Sequence, residues 1–284
     1  MQVISFMNMK GGVGKTTIAV NIAYSLAQVS KKKVLLIDCD PQFNATQSLV
    51  NSAAYLKHLQ AKKSTLKDIF IPRDYGPINT LTGSSRTTNK KIALADCTIN
   101  IFPKGGTAEG RLDLIPSVLD LMDVQNSQRQ TEVKLKRFIR EKATNYDFVL
   151  IDTPPTISIF TEAAILASDG YVVPIRPDPL SIIGLPLLER HIQDYTTDVG
   201  GPIRQIGIIF TQVRRPTPQA MKQVMEEIRR SRKDAVFPYE TTIATAVAEA
   251  VAEQKPVFNV RKASNAVQMQ YVDIANEFLK RVGG

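Results

Sequence analysis

The chain has 284 residues, 43% of them hydrophobic, enough to bury a substantial core without metal or disulfide staples. No apolar run approaches the roughly 18–20 residues that cross a bilayer. The two cysteines, Cys39 and Cys97, form no close pair of the zinc or redox kind, so a reduced, cytoplasmic setting is expected. The 36 basic and 27 acidic residues leave a formal charge of +9, which permits attraction to nucleic acid or anionic lipid without demanding it.

The opening residues, Met1-Gln2-Val3-Ile4-Ser5-Phe6, lack a basic leader and a small-residue cleavage site, so a secretory signal is not expected. Gln2–Met7 reads as a short apolar strand. Lys15–Val29 follows as a helix with Ile18, Ile22, Leu26 and Val29 on one face. Lys33–Asp38 is a second strand, apolar on both sides as in a buried parallel sheet. Residues 51–110 are less regular and more polar, and they read as a peripheral helical excursion with a mobile loop near Gly83-Ser84-Ser85-Arg86. Leu112–Pro116 resembles a strand end and Glu132–Ala143 a helix.

A further buried strand, Phe148–Asp152, leads to an apolar helix over Ile157–Ala167. Gly170–Ile175 is a strand, Leu180–Tyr195 a helix and Gln205–Val213 a strand. Thr217 and Pro218 open a helix that reaches about Lys233, with Thr at the cap and Pro in the first turn. Ile243–Glu253 and Ser264–Val282 close the chain as helices, the last with Val267, Tyr271, Ile274, Phe278 and Val282 at helical spacing. Strands alternating with helices predict an α/β fold: a mostly parallel, twisted sheet with helices on both faces. No repeat or linker divides the chain, so a single domain over 1–284 is expected.

The strongest local signal is Lys10-Gly11-Gly12-Val13-Gly14-Lys15-Thr16-Thr17, set between the first strand and the first helix. It follows the P-loop pattern, with Asn8 in place of the first glycine and Lys10 inside the loop. Glycines let the backbone curl so that its N–H groups point inward at phosphate oxygens, and the following helix adds the positive end of its dipole. In this pattern Lys15 neutralises the β- and γ-phosphates and the Thr16 hydroxyl ligates Mg²⁺. A glycine-rich turn with an incidental lysine would not combine this spacing with a strand before it and a helix after it.

Acidic residues end the two buried strands. Asp152 follows one, in the place where P-loop proteins put the carboxylate that holds Mg²⁺ or its water. Asp38 and Asp40 follow the other, with Asp38 cast mainly as a holder of the loop. Ligands of open α/β sheets collect at the carboxyl ends of strands, so all three are expected to converge there. The plainer reading is that strands often end in Asp because it favours turns.

These motifs resemble the ParA/MinD family of deviant Walker-A ATPases. The resemblance rests on KGGVGKTT at 10–17, LLIDCDPQFNAT at 35–46, YDFVLIDTPP at 146–155 and LDLIPSVLDL at 112–121. Ser181-Ile182-Ile183-Gly184-Leu185 and Lys255-Pro256-Val257 also match, and the ParA partition branch is the nearest. The resemblance implies an ATPase that uses ATP and Mg²⁺ and pairs as a homodimer with the nucleotides between the subunits. Lys10 would reach the partner's phosphates and Asp40 would orient the attacking water or serve the metal. Gly11, Gly12, Val13, Gly14, Lys15, Thr16 and Thr17 would cradle the phosphates, Thr16, Asp40 and Asp152 would serve Mg²⁺, and Pro238 would lie beside the adenine. It further implies nonspecific DNA binding by the ATP dimer, nucleoid association, and release when a ParB-like centromere-binding protein stimulates hydrolysis, so that plasmid or chromosome is segregated. The P-loop begins within ten residues of Met1 with no helix-turn-helix extension before it, so the short branch is expected, with its DNA-binding adaptor a separate protein.

The chain departs from the family at Phe43, where Gly is usual, and at Gln212, where Asn or Asp near the adenine is common. The usual Arg after Pro238 is replaced by Thr241-Thr242-Ile243-Ala244. DNA contact is expected instead from Arg214, Arg215, Arg229, Arg230, Arg232 and Lys233, around one helix. The plainer reading is that cations at a helix C-terminus complement its dipole, with Glu226 and Glu227 diluting them. A MinD-like membrane ATPase is the alternative, but the tip Lys280–Gly284 lacks bulky apolar residues, so membrane binding is not expected. An electron carrier of the nitrogenase-reductase kind would need two cluster cysteines, and Cys39 lies inside the nucleotide motif. Lys10 and the absence of an acceptor lid argue against a small-molecule kinase.

Overall fold

The computed structural model describes residues 1–71, 92–102, 109–126, 131–199 and 201–283. In chain order, β1 (Gln2–Phe6), α1 (Lys15–Gln28) and β2 (Lys33–Asp38) are followed by short helices α2 (Asn44–Leu49), α3 (Ser52–Gln60), α4 (Leu66–Phe70) and α5 (Leu94–Cys97). Then come β3 (Ile99–Phe102), β4 (Arg111–Ile115), a 3-10 segment (Leu119–Asn126), α6 (Glu132–Lys142), β5 (Phe148–Asp152), α7 (Ile159–Ala167) and β6 (Gly170–Ile175). The chain ends with α8 (Pro179–Val199), β7 (Arg204–Phe210), α9 (Gln219–Ser231), α10 (Thr245–Ala252), a 3-10 turn (Val257–Asn259) and α11 (Asn265–Gly283).

The strands form one seven-stranded sheet in the order β3-β4-β2-β5-β1-β6-β7. Every neighbouring pair is parallel except β3 with β4. The sheet is apolar on both faces because its strands alternate two buried sets. Leu35, Ile37, Val149 and Ile151 face the layer of α4, α6, α7, α8 and α9. Val34, Leu36, Leu150 and Phe6 face α1 and α11. Each such side chain, fully buried, contributes about 1.5–3 kcal/mol, which is why the inner strands read as near-continuous hydrophobic runs.

The strand order positions the site. β1 lies between β5 and β6, so the loop after β1 opens beside the ends of both. Register sets Phe6 opposite Asp152 and Asp38 opposite Asp152, bringing the acidic strand ends and the glycine loop to one edge of the sheet.

Two expectations are corrected. Residues 51–110 are not only a peripheral excursion: β3 is the antiparallel edge of the sheet, and Leu66, Ile69, Phe70 and Cys97 belong to the core. Gly83-Ser84-Ser85-Arg86 lies outside the described residues. The strand read over Gln205–Val213 ends at Phe210, because Val213 leaves the ladder to bridge Thr242. That same bridge delays the next helix to Thr245.

Candidate nucleotide-binding site

The loop after β1 curls because Gly12 and Gly14 take positive φ values of 70° and 83°, which a side chain would penalise. Two bonds from the end of β7 brace it. The Thr211 hydroxyl donates to the Val13 carbonyl at 2.6 Å, and Gln212 Nε2 donates to the Gly12 carbonyl at 2.8 Å. The loop's shoulder is tied to β6 by Asn8, whose Nδ2 donates to the Pro174 carbonyl while its Oδ1 accepts from the Lys10 amide.

A cavity of about 320 Å³ opens over this loop, lined by Gly11 to Thr17, Asp40, Gln42, Asn44, Gln47, Ser48, Pro155, Gln212 and Val251. Lys15, buried, donates from Nζ to the Lys10 carbonyl at 3.2 Å. Burial pushes its ammonium below the ordinary lysine value, while Asp152 and Asp40 pull it back. The Thr16 hydroxyl donates to Asp152 Oδ2 at 2.7 Å, and Asp152 Oδ1 is buried with no hydrogen-bond partner. Burial, reinforced by Asp38, pushes the Asp152 carboxyl up to about 8 against the pull of Thr16 and Lys15. A free, buried carboxylate oxygen beside a hydroxyl is a hard-oxygen pair of the kind Mg²⁺ takes. No cluster of three or more His, Cys, Asp or Glu able to hold a metal alone is found among the described residues.

Asp38 and Asp40 divide the work of the second acidic strand end. Asp38 accepts the Thr46 amide and hydroxyl, both at 2.7 Å, and so anchors the start of α2. Burial raises its carboxyl to about 7, with those two bonds opposing. Asp40 faces the cavity, accepts the Gln42 amide at 2.9 Å, and is raised by burial. Between them and α2, Phe43 adopts φ 46°, the left-handed conformation that glycine takes freely. Its ring stacks on Tyr55 at 6.1 Å, and the Tyr55 hydroxyl donates to the Ser117 carbonyl. The turn thus keeps a glycine-like backbone with an aromatic brace outside it.

A second cavity of about 250 Å³ adjoins the first and shares Gly14, Thr17, Gln212 and Val251 with it. Its walls are mostly apolar: Ile18, Ile243, Val247, Val251 and Tyr271. The sequence reading missed this wall, because Ile243, Val247 and Val251 look like any helix face until Val213 draws the chain across. Pro238, expected beside this region, does not line either cavity. It lines a third one, of about 620 Å³, with Arg215, Lys222, Arg229, Tyr239 and Asp273. The chain bridges Val213 to Thr242 after Pro238, which carries that proline away from the loop.

Lys10 also stands apart from the cavity. Its ammonium pairs with Asp178, just before α8, whose carboxylate lies below the ordinary range because of Lys10 and Ser181 even though burial opposes this. Along α8, Leu180, Ile183 and Leu187 are 66%, 64% and 56% exposed, an apolar row on the helix face opposite Leu185, Leu188 and Ile192.

Ion pairs divide the basic residues. Arg232 is locked on Glu189, with Nη2 to Oε2 at 2.6 Å and Nε to Oε1 at 3.1 Å. Arg230 pairs with Glu227 on the same helix. Arg215 and Arg229 share the single carboxylate of Glu240 at the rim of the third cavity. Arg214 and Lys233 are exposed and have no acidic partner among the described residues. Helix α11 buries Tyr271, Ile274, Ala275, Phe278 and Val282 in the core, and among the described residues no helix is long and apolar enough to cross a membrane.

Residues 1–200 match the AAA domain family. The chain is 30% identical over 276 residues to the sporulation initiation inhibitor protein Soj of Bacillus subtilis, covering 97% of each chain. It is 30% identical over 214 residues to a virulence plasmid ParA family protein of Chlamydia psittaci, covering 74% of this chain and 69% of that one. Among solved structures, a Borrelia burgdorferi plasmid-partition candidate bound to AMPPNP shares the fold, with a TM-score of 0.72 at 22% identity over 99% of both chains. The glycine loop closed by Lys15 and Thr16, the acidic strand ends and these relatives lead to one assignment: the chain belongs to the Soj/ParA family of AAA-domain P-loop ATPases.

Proposed function

We propose that this ATPase is a partition motor: ATP binding pairs two copies, the pair binds DNA without sequence preference, and hydrolysis stimulated by a ParB-like partner releases it. The triphosphate lies along the loop cavity and the base enters the adjoining apolar one. Thr16, Asp152 and Asp40 would hold Mg²⁺, the first two offering a hydroxyl and a carboxylate oxygen without a hydrogen-bond partner. The metal, when bound, supplies charge neutralisation to the β- and γ-phosphates. Lys15 sits behind the loop as the fixed cation of its own subunit, and Asp40 positions the water that attacks.

The observation that carries the pairing is the exposed face beside the loop. There a lysine that does not serve its own cavity stands next to the apolar row Leu180, Ile183 and Leu187. An apolar row of this kind beside a charged residue marks a contact surface. Sizing the protein with ADP, ATP and a non-hydrolysable analogue, with and without nonspecific DNA, tests the cycle. Monomer with ADP and DNA-bound dimer with ATP is expected; a monomer under all conditions would refute it.

The ion pairs narrow the DNA surface. Arg214, Arg215, Arg229 and Lys233 are offered to phosphate, whereas Arg232 holds α8 to α9 through Glu189. Replacing Arg214, Arg215 and Arg229 with Ala is expected to weaken ATP-dependent DNA binding about equally for all sequences. The salt dependence should flatten by about one unit of slope for each DNA phosphate that the variant no longer neutralises. Arg232→Ala is expected to leave the slope in place. A titration at three salt concentrations separates the two.

A further inference from the structure

We propose that Asp178 is a positioning residue for Lys10: within the lone subunit it latches the lysine away from the phosphates, and burial of the α8 face releases it. The inference rests on the pairing reading above.

The geometry that carries it has three parts. The Lys10 ammonium lies on the Asp178 carboxylate of its own chain, while Asn8 fixes the Lys10 backbone from β6. The latch is therefore set at both ends of the residue. Asp178 is tied locally by hydrogen bonds. Its backbone carbonyl accepts the Ser181 amide at 2.9 Å, its amide donates to the Arg176 carbonyl at 2.9 Å, and its side chain accepts from the Ser181 hydroxyl at 3.4 Å. Lastly, Asp178 leads directly into the helix whose exposed row begins at Leu180.

A charge pair of this exposure, with side chains 38% and 25% accessible, is weak alone. It is nevertheless a differential contact, present in the single subunit and absent once Lys10 crosses to a partner. That difference is what an equilibrium between two states responds to. A second copy seated on Leu180, Ile183 and Leu187 would press on the first turn of α8 and on Asp178 with it, while its own triphosphate offers the lysine a stronger anion. Asp178 thus sets how much protein is needed before ATP produces a pair.

Asp178→Asn removes the charge and keeps a good helix-capping side chain. Sedimentation across protein concentrations, with Mg²⁺ and a non-hydrolysable ATP analogue, reads the midpoint of pairing. The midpoint of Asp178→Asn is expected about tenfold below that of the unaltered chain, since each pair opens two latches. Asp178→Glu is expected to restore it, and the shift should vanish when Lys10 is Ala in both proteins being compared. An unmoved or raised midpoint, or the same shift without Lys10, overturns the latch. An unaltered chain that never pairs with the analogue overturns the pairing reading and the latch with it.

Discussion

Lys10→Ala is expected to reduce ATP turnover about 10³-fold or more, the scale of losing a cation that meets transition-state charge from outside the subunit. The same variant should bind ADP with nearly unchanged affinity. The reason is positional: in the single subunit the Lys10 ammonium lies on Asp178, outside the loop cavity, whereas Lys15 lies buried within it. Lys15→Ala removes the lysine that lines that cavity and leaves Asp40 and Asp152 without the cation that offsets them, so nucleotide binding itself should fail. Phosphate release and ADP titration on both variants draw the line. Normal turnover without Lys10 would end the trans role, and lost ADP affinity without it would move Lys10 into its own site.

The contrast between the two lysines shows what was legible from the chain alone. The loop itself, its strand and its helix could be read because glycine spacing and buried runs are local signals. So could Asp152, because FVLID is a buried parallel strand whose end must open at the ligand edge. The residues that divide labour at the site depend on partners far along the chain. Lys10 and Asp178 are 168 positions apart, and Gln212 reaches the Gly12 carbonyl across 200. The division of Asp38 and Asp40 hangs on Thr46, which is close enough that the loop-holding reading of Asp38 was available from sequence. β3 was missed because a four-residue edge strand carries too little alternation to register.

Charge shows the same limit from the other side. Six cations around α9 form an inviting cluster in sequence, but Glu189 and Glu240, which approach from α8 and from beyond Pro238, take three of them. Composition counts charges, whereas the fold decides which stay available to a phosphate. Within this cluster, Arg214 and Lys233 keep no acidic partner among the described residues, and Arg215 and Arg229 share one at the rim of the third cavity.

Arg281→Ala is expected to cost about 3–5 kcal/mol, far more than a charged residue near the end of a last helix would suggest. Its guanidinium donates to the carbonyls of Ile206, Asp234, Ala235 and Val236, pairs with Glu277 at 2.8 Å, and lies 4.3 Å from the centre of the Phe237 ring. The seat exists because residue 207 is glycine: a Cβ there would come within 2.7 Å of Arg281 Nη1 and 2.5 Å of the Ala235 carbonyl. Truncation removes these donors together, leaving the Ala235 carbonyl only the Ile208 amide and Glu277 only the longer pair with Lys280 at 3.9 Å, the costly direction of breaking such a network. It also frees α11 from β7, the edge strand whose end braces the phosphate loop through Thr211 and Gln212. Arg281→Lys keeps the charge but not the fork, so less than half the loss should be recovered. Lys280→Ala, one residue away and 72% exposed, should stay within about 0.5 kcal/mol of the unaltered chain. Denaturant melts of the three variants, with and without ADP, measure both effects. An Arg281→Ala midpoint indistinguishable from that of Lys280→Ala would show that α11 is held by its apolar face alone.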